Sequence, residues 1–333
     1  MKKDVRFDRR DFITKTTLGT IGVAGFLSSC TSTASKKDEI KLPKLLDQAP
    51  DGKVIKAGLV GCGGRGTGAA INFLDAGPNL QIVALGDVFQ DKIDACREKL
   101  RVEKKVEVAD ENCFVGFDSY QKVIDSGVDL VLLCTPPHFR PVHVEAAVNA
   151  RKHIFMEKPI AVDPVGARSV MASVQKAKAI GLNMVSGTVF RVSKDFMETN
   201  RRIANGEIGE ITGASVIRNG TALWFRRRQP EWSDMEYMLR NWVNFAWLSG
   251  DHITEMFIHQ LDLMNWNMGK MPVMASGYGG RHRRVTGDQY DFFSIDYIYD
   301  NGIHAHAAVR QINGCSYKTL TQVFGTKGYA DVR

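Results

Sequence analysis

The run Gly61-Cys62-Gly63-Gly64-Arg65-Gly66 has the residue types and spacing to hold a diphosphate. Glycines at Gly61, Gly63 and Gly66 permit a tight turn and let backbone N–H groups approach charged oxygens with no side chain between. A second chemistry-bearing residue lies 21 positions beyond Gly66, where Gly86-Asp87 closes an apolar run. A carboxylate at that distance accepts a hydrogen bond from a ribose 2′-OH and repels a 2′-phosphate. The pair therefore predicts a dinucleotide, NAD in preference to NADP.

A lone glycine motif is weak, so its weight rests on the elements that position it. Residues 54–60 are a short β-rich run directly before it, and Ala69, Ala70, Ile71, Phe73 and Leu74 give a helical pattern directly after. Residues 80–85 read as a second strand. Residues 129–134 read as a buried parallel strand that ends in Thr135-Pro136-Pro137-His138. Ligands of such sheets bind beyond the carboxyl ends of the strands, so Thr135, Pro136 and His138 are expected to face the cofactor. A helix containing His143 follows, then a strand over residues 152–156 that runs into Glu157-Lys158-Pro159. The fold class expected for residues 52–190 is α/β, a doubly wound parallel sheet of the Rossmann type.

Together, the glycine fingerprint, the Thr-Pro-Pro loop and Glu157-Lys158-Pro159 resemble the Gfo/Idh/MocA oxidoreductases, the glucose-fructose oxidoreductase and inositol dehydrogenase family, over residues 52–333. The resemblance implies that Lys158 contacts substrate and the nicotinamide ribose. A partly buried amine beside a cationic nicotinamide can polarise a hydroxyl or relay its proton. It also implies that Arg65, His143, Glu157 and Pro159 belong to the cofactor site. The family's second motif matches Glu255, His259 and Asp262, which on one helix would lie within roughly 60° of each other. His259 is the expected general base, because imidazole titrates near neutral pH, with Glu255 orienting it or binding a sugar hydroxyl. Glutamate at 255 and Asp251 depart from the usual aspartate and glycine, which bears on substrate choice.

His252, Glu255 and His259 could also line up as metal ligands at i, i+3 and i+7. No further histidine or cysteine is spaced to complete such a site, so no metal is expected. Arg191, Trp224, Asp251, His252 and Asp262 are the candidate substrate contacts.

From Gly206 the pattern changes to alternating strands, such as residues 213–218, 292–299 and 303–309. Their period of two predicts an α+β domain over residues 191–333 with an open, mainly antiparallel sheet that serves substrate binding and homo-oligomerisation. Trp224, Trp232, Trp242 and Trp247, with Arg226 to Arg228 nearby, would suit a sugar's apolar ring face or equally a packed core. Members of the family usually continue past Gly328, so a shortened C-terminus is expected.

The 333 residues allow two domains, and the apolar and charged fractions, 44% and 24%, are those of a globular protein. Of the formal charge of +7, residues 1–29 supply +3: six Lys and Arg against Asp4, Asp8 and Asp11. The rest is spread thinly, with no basic stripe interleaved with aromatics, so nucleic acid is not an expected partner. Arg9-Arg10 before Asp11-Phe12, the mildly apolar run that follows and Leu27-Ser28-Ser29-Cys30 resemble a twin-arginine signal with a lipoprotein processing site. Residues 30–51 then read as a tether. The expectation is a periplasmic lipoprotein that meets the membrane only through an acyl chain on Cys30.

Outside the inner membrane free NAD is scarce, so a tightly held cofactor is expected. The predicted reaction is hydride transfer to or from a ring hydroxyl of a sugar or glycoside. An alternative from the same superfamily is an NAD-dependent glycoside hydrolase working through a transient keto-sugar; lysine at 158 weighs against it. A cofactor-loaded binding protein is the third class.

Overall fold

The computed structural model describes residues 52–332. The signal, the tether and Cys30 lie outside the described residues.

The apolar run before the glycine motif forms β1 (Ile55–Val60), whose last four residues are fully buried. It pairs in parallel with β2 (Leu80–Asp87) on one side, Val60 opposite Gly86, and with β4 (Leu130–Leu133) on the other, Val60 opposite Leu133. With β3 (Cys113–Val115), β5 (His153–Met156) and β6 (Met184–Ser186) the sheet has the order β3-β2-β1-β4-β5-β6 and is parallel throughout. Alternate strand residues serve opposite faces. Leu59, Ile82 and Leu85 pack with Ala70, Ile93 and Leu100, from the helices α1 (Gly64–Asp75) and α2 (Gln90–Lys104). Val60, Val131 and Leu133 pack with residues of α3 (Ser119–Asp125), α4 (Arg140–Asn149) and α5 (Pro164–Ala179). The strand order reverses between β1 and β4, which opens a crevice at their carboxyl ends.

After α6 (Lys194–Ala204) comes β7 (Ile211–Gly220), first strand of a second sheet. The helical segments α7 (Asp234–Arg240), α8 (Ala246–Ser249), α9 (Asp251–Glu255) and α10 (Ile258–Met268) precede the remaining strands. These are β8 (Met274–Gly280), β9 (Phe292–Ile298), β10 (His304–Gln311), β11 (Lys318–Gly325) and β12 (Gly328–Asp331), in the spatial order β12-β11-β7-β10-β9-β8. All neighbours are antiparallel apart from the central pair β7 and β10, which is parallel. Phe257, Met264 and Met268 pack on Ala214, Val216, Ala305, Ala307 and Val309, so one face of the sheet is covered.

One expectation is corrected here. Glu255 and His259 do not share a continuous helix: α9 ends at Glu255 and α10 begins at Ile258. Fully buried Phe257 is drawn into the core at the break, and its N–H bonds the His252 carbonyl. The Glu255 carbonyl, which an unbroken helix would offer to the His259 N–H, accepts the Lys158 ammonium at 2.5 Å.

Candidate active site

The glycine motif forms the turn between β1 and α1. Gly61 has φ +96°, in the left-handed region that favours glycine. A Cβ on Gly66 would stand 1.8 Å from the Gly61 carbonyl oxygen, so helix and strand touch there. At Gly63 and Gly64 a Cβ would meet nothing within 4 Å. Their backbone instead borders an open cleft of about 1000 Å³ that also takes in Asp87, Thr135 and Trp224. Free N–H groups at the start of a twelve-residue helix with no acid in its first turn suit a diphosphate.

Asp87 lines the same cavity. Its Oδ2 accepts the Cys62 N–H at 2.7 Å and its Oδ1 accepts the Phe89 N–H at 3.0 Å. Burial raises its pKa, against those backbone hydrogen bonds, which lower it. Each oxygen keeps a lone pair for a ribose hydroxyl.

Thr135, Pro136 and His143 also line the cavity. His143 sits 3.3 Å from the Thr135 hydroxyl and stacks on Tyr120, and burial holds its pKa at about 3, so it is neutral. His138 is not in this lining; it packs edge-on against Trp247, because its loop is bonded to the Leu248 carbonyl. Arg140, absent from the sequence reading, is fully buried and donates to the carbonyls of Thr135 and Pro159. It ties the Thr-Pro-Pro loop to the Glu-Lys-Pro segment. An arginine in an apolar helix directly after that loop was the available signal.

Two expected cofactor residues are committed to each other. Arg65 bonds Glu157 at 2.6 Å, with the carboxylate almost fully buried, so their common role is to join α1 to the end of β5. Lys158 follows at the carboxyl edge, one strand along from Thr135 in the register that sets Leu133 opposite Met156.

The Lys158 Nζ bonds Glu255 Oε1 at 2.9 Å as well as the Glu255 carbonyl, and the two side chains are only 15% and 11% exposed. Glu255 therefore pairs with the lysine, and its Oε2 is buried without a partner among the described residues. His259 packs against Phe190. Burial, then the charges of Lys158 and Arg218, lower its pKa to about 4, outweighing Asp262. Its titration thus lies well below the neutral range expected from free imidazole.

Among the candidate substrate contacts, Arg191 and Asp262 form a bidentate pair at 2.8 to 3.1 Å, with Arg191 lying over Trp266. Asp251 accepts the N–H of His252 and of Tyr290, and His252 is fully buried. Both serve the interior of the second domain. The ligand alignment His252, Glu255, His259 does not arise: no group of three or more such residues able to hold a metal occurs among the described residues. Trp224 lines the dinucleotide cavity and not a separate sugar pocket, as do Arg226, Arg240 and Trp242. This wall from the second domain was not foreseen, because residues 221–229 have no periodic pattern. No helix among the described residues is long and apolar enough to cross a membrane.

Comparison with known proteins agrees with this geometry. Residues 55–184 match the profile of the GFO/IDH/MocA oxidoreductases described as an NAD-binding Rossmann fold, and residues 196–331 match a C-terminal domain of the same family. The chain is 26% identical over 216 residues to a myo-inositol 2-dehydrogenase of Thermotoga maritima, covering 65% of this chain and 55% of that protein. It is 24% identical over 277 residues to a scyllo-inositol 2-dehydrogenase (NAD(+)) of Bacillus subtilis, covering 82% and 72%. The crystal structure of a Lactobacillus casei scyllo-inositol dehydrogenase with bound NAD(H) and scyllo-inositol superposes with a TM-score of 0.65 at 21% identity, over 84% of this chain and 76% of that one.

Proposed function

Because the chain belongs to the GFO/IDH/MocA oxidoreductases, we propose that it transfers hydride between a tightly held NAD and a ring hydroxyl of a sugar or cyclitol. The observation that carries this reading is the meeting of Lys158, Glu255 and His259 at the carboxyl edge of the nucleotide-domain sheet.

NAD, when bound, supplies the hydride acceptor at its nicotinamide ring. Gly61, Gly63, Gly64 and Asp87 would hold its diphosphate and ribose, with the wall formed by Trp224, Arg240 and Trp242 retaining it. His259, neutral above about pH 4, accepts the proton of the reacting hydroxyl. The Lys158 ammonium stabilises the charge that develops on that oxygen. Glu255 anchors the lysine and offers its unpartnered Oε2 to a neighbouring hydroxyl.

The arginine pair at residues 9–10 and Cys30 support a periplasmic lipoprotein exported through the twin-arginine route. Such a location favours a redox-neutral cycle in which the cofactor is reoxidised in place. Met274, Tyr278, Phe324 and Tyr329 are exposed on the sheet face away from α10, which supports a homo-oligomer built through that face.

Mass spectrometry of the small molecules released from purified protein, followed by an inositol and sugar panel scored for keto products, tests the reaction. NAD and a ketone from at least one panel member are expected. Protein free of any dinucleotide, and inert with added NAD towards the whole panel, would refute the reading.

A further inference from the structure

Around His259 the cations come with acids: Lys158 with Glu255, and Arg191 with Asp262. Arg218 does not. It has no hydrogen-bond or ion-pair partner among the described residues, yet its charge is among those felt by His259. It stands on β7 two residues beyond Val216 and so points to the face that α10 covers, half-buried. A half-buried arginine with no counter-charge gives up part of its hydration with no partner to offset it in the free protein.

Arg218 lines a small, open pocket together with Thr221, Leu223, Met256 and Tyr317. Met256, which directly follows Glu255 in the chain, is part of its wall. Leu223 borders this pocket and its neighbour Trp224 borders the dinucleotide cavity, so one stretch of chain separates the two spaces. Arg310 also borders the pocket. Its side chain, one residue beyond buried Val309 and paired with Asn219, turns to the opposite face of the sheet and donates to the Ser316 carbonyl, so Arg218 is the cation that faces this space.

We propose that Arg218 receives an oxyanion carried by the substrate, so that the sugar oxidised or reduced here is an acidic one with a carboxylate or phosphate group. The inference rests on the hydride-transfer reading for the hydroxyl that His259 addresses, and adds the ligand class. A guanidinium offers two parallel N–H donors that match both groups, which a neutral ring cannot use. An anion beside Arg218 would also offset the cation that depresses His259, making the base stronger once substrate is in place.

The test is calorimetric binding to the NAD-loaded protein of glucuronate and galacturonate, of glucose 6-phosphate, and of glucose and galactose as neutral partners. At least one acidic sugar is expected to bind about tenfold to a hundredfold more tightly than its neutral partner, the value of a charge-assisted pair. The uronate and phosphate arms separate the two anions. Arg218→Gln should collapse that ratio towards unity and Arg218→Lys should retain part of it. On the unaltered protein, added salt should weaken the acidic ligand and leave the neutral one unmoved. Equal affinity for acidic and neutral partners, a ratio that survives Arg218→Gln, or no salt dependence overturns the proposal. Selective binding of an acidic sugar without any change in bound NAD would instead leave Arg218 as assigned and refute hydride transfer to that sugar.

Discussion

Lys158 grips Glu255 at two points, the backbone carbonyl at 2.5 Å and Oε1 at 2.9 Å, and so bridges the end of β5 in the nucleotide domain to the break between α9 and α10 in the second. One ion pair therefore joins the two domains at the reaction centre.

Removing the lysine leaves the Glu255 carboxylate buried and unpaired, which typically costs about 3 to 5 kcal/mol. Lys158→Ala should lower the urea midpoint by a corresponding amount and abolish turnover. Glu255→Gln, which keeps an acceptor but loses the charge, should cost less. In the double variant the losses should be less than additive, with a coupling energy above about 1 kcal/mol. Additive losses would mean that the pair is not formed in solution.

The Rossmann half was readable from residue order because its signals are local. An apolar run, a glycine turn and an acid at fixed spacing are all set by β1, α1 and β2, which are contiguous in sequence. The strands β3 and β6 were not readable: each has three residues at or near a sheet edge, too few to show a period. In the site, Lys158 and His259 were legible by type, but their partners were not. Glu255 lies 97 residues from Lys158, and helical spacing pointed to His259 as its partner, because Phe257 breaks the helix through a core contact that spacing cannot express.

His259 is held neutral down to about pH 4, first by burial and then by the Lys158 and Arg218 charges. A base must be unprotonated to act, so kcat/KM should stay level from neutral pH down towards pH 5 and fall only near pH 4. A normal imidazole would impose the fall near pH 6.5. A pH–rate profile on NAD-loaded protein distinguishes them, and His259→Asn should depress turnover across the range.

His143 gives a stability prediction with a definite sign. Its pKa is about 3 in the folded chain, lowered by burial and then by Arg140, against about 6.5 unfolded. Between those values the unfolded chain takes up a proton that the folded one refuses, so stability falls as pH drops through this window and is unaffected above it. Comparing His143→Gln with the unaltered protein by urea unfolding at pH 7 and pH 4 should show a variant less sensitive to acid by a few kcal/mol. Equal acid sensitivity would place His143 in contact with water.

The glycines separate packing from ligand approach. Gly66→Ala puts a methyl 1.8 Å from the Gly61 carbonyl and must push α1 off β1, so it should lower the melting temperature and lose NAD together. Gly63→Ala meets nothing within 4 Å and should leave the melting temperature of cofactor-free protein nearly unchanged. Its methyl nevertheless intrudes on the cavity where a diphosphate would sit, so NAD affinity should drop by about tenfold or more. Unaltered NAD affinity in Gly63→Ala would mean that the dinucleotide does not use this turn.

Arg240 is a further tie between the domains, and it lies on the cofactor cavity itself. Its guanidinium is 3.9 Å from the centre of the Phe89 ring and 5.0 Å from that of Trp232, and it bonds Asp91 at 3.0 Å and Glu236 at 2.8 Å. Phe89 belongs to the cavity wall next to Asp87, while Arg240 comes from α7 of the second domain. Phe89 and Arg240 thus join the two domains across the wall of the cavity that would hold a dinucleotide. Arg240→Met preserves apolar cover but removes the ion pairs and the stacked cation, worth about 1 to 3 kcal/mol together. NADH dissociation, followed by loss of cofactor fluorescence after dilution of protein loaded with the reduced form, should therefore accelerate by about tenfold, with turnover of already loaded protein little affected. If release is as slow in Arg240→Met as in the unaltered protein, retention is due to the glycine turn and Asp87 alone.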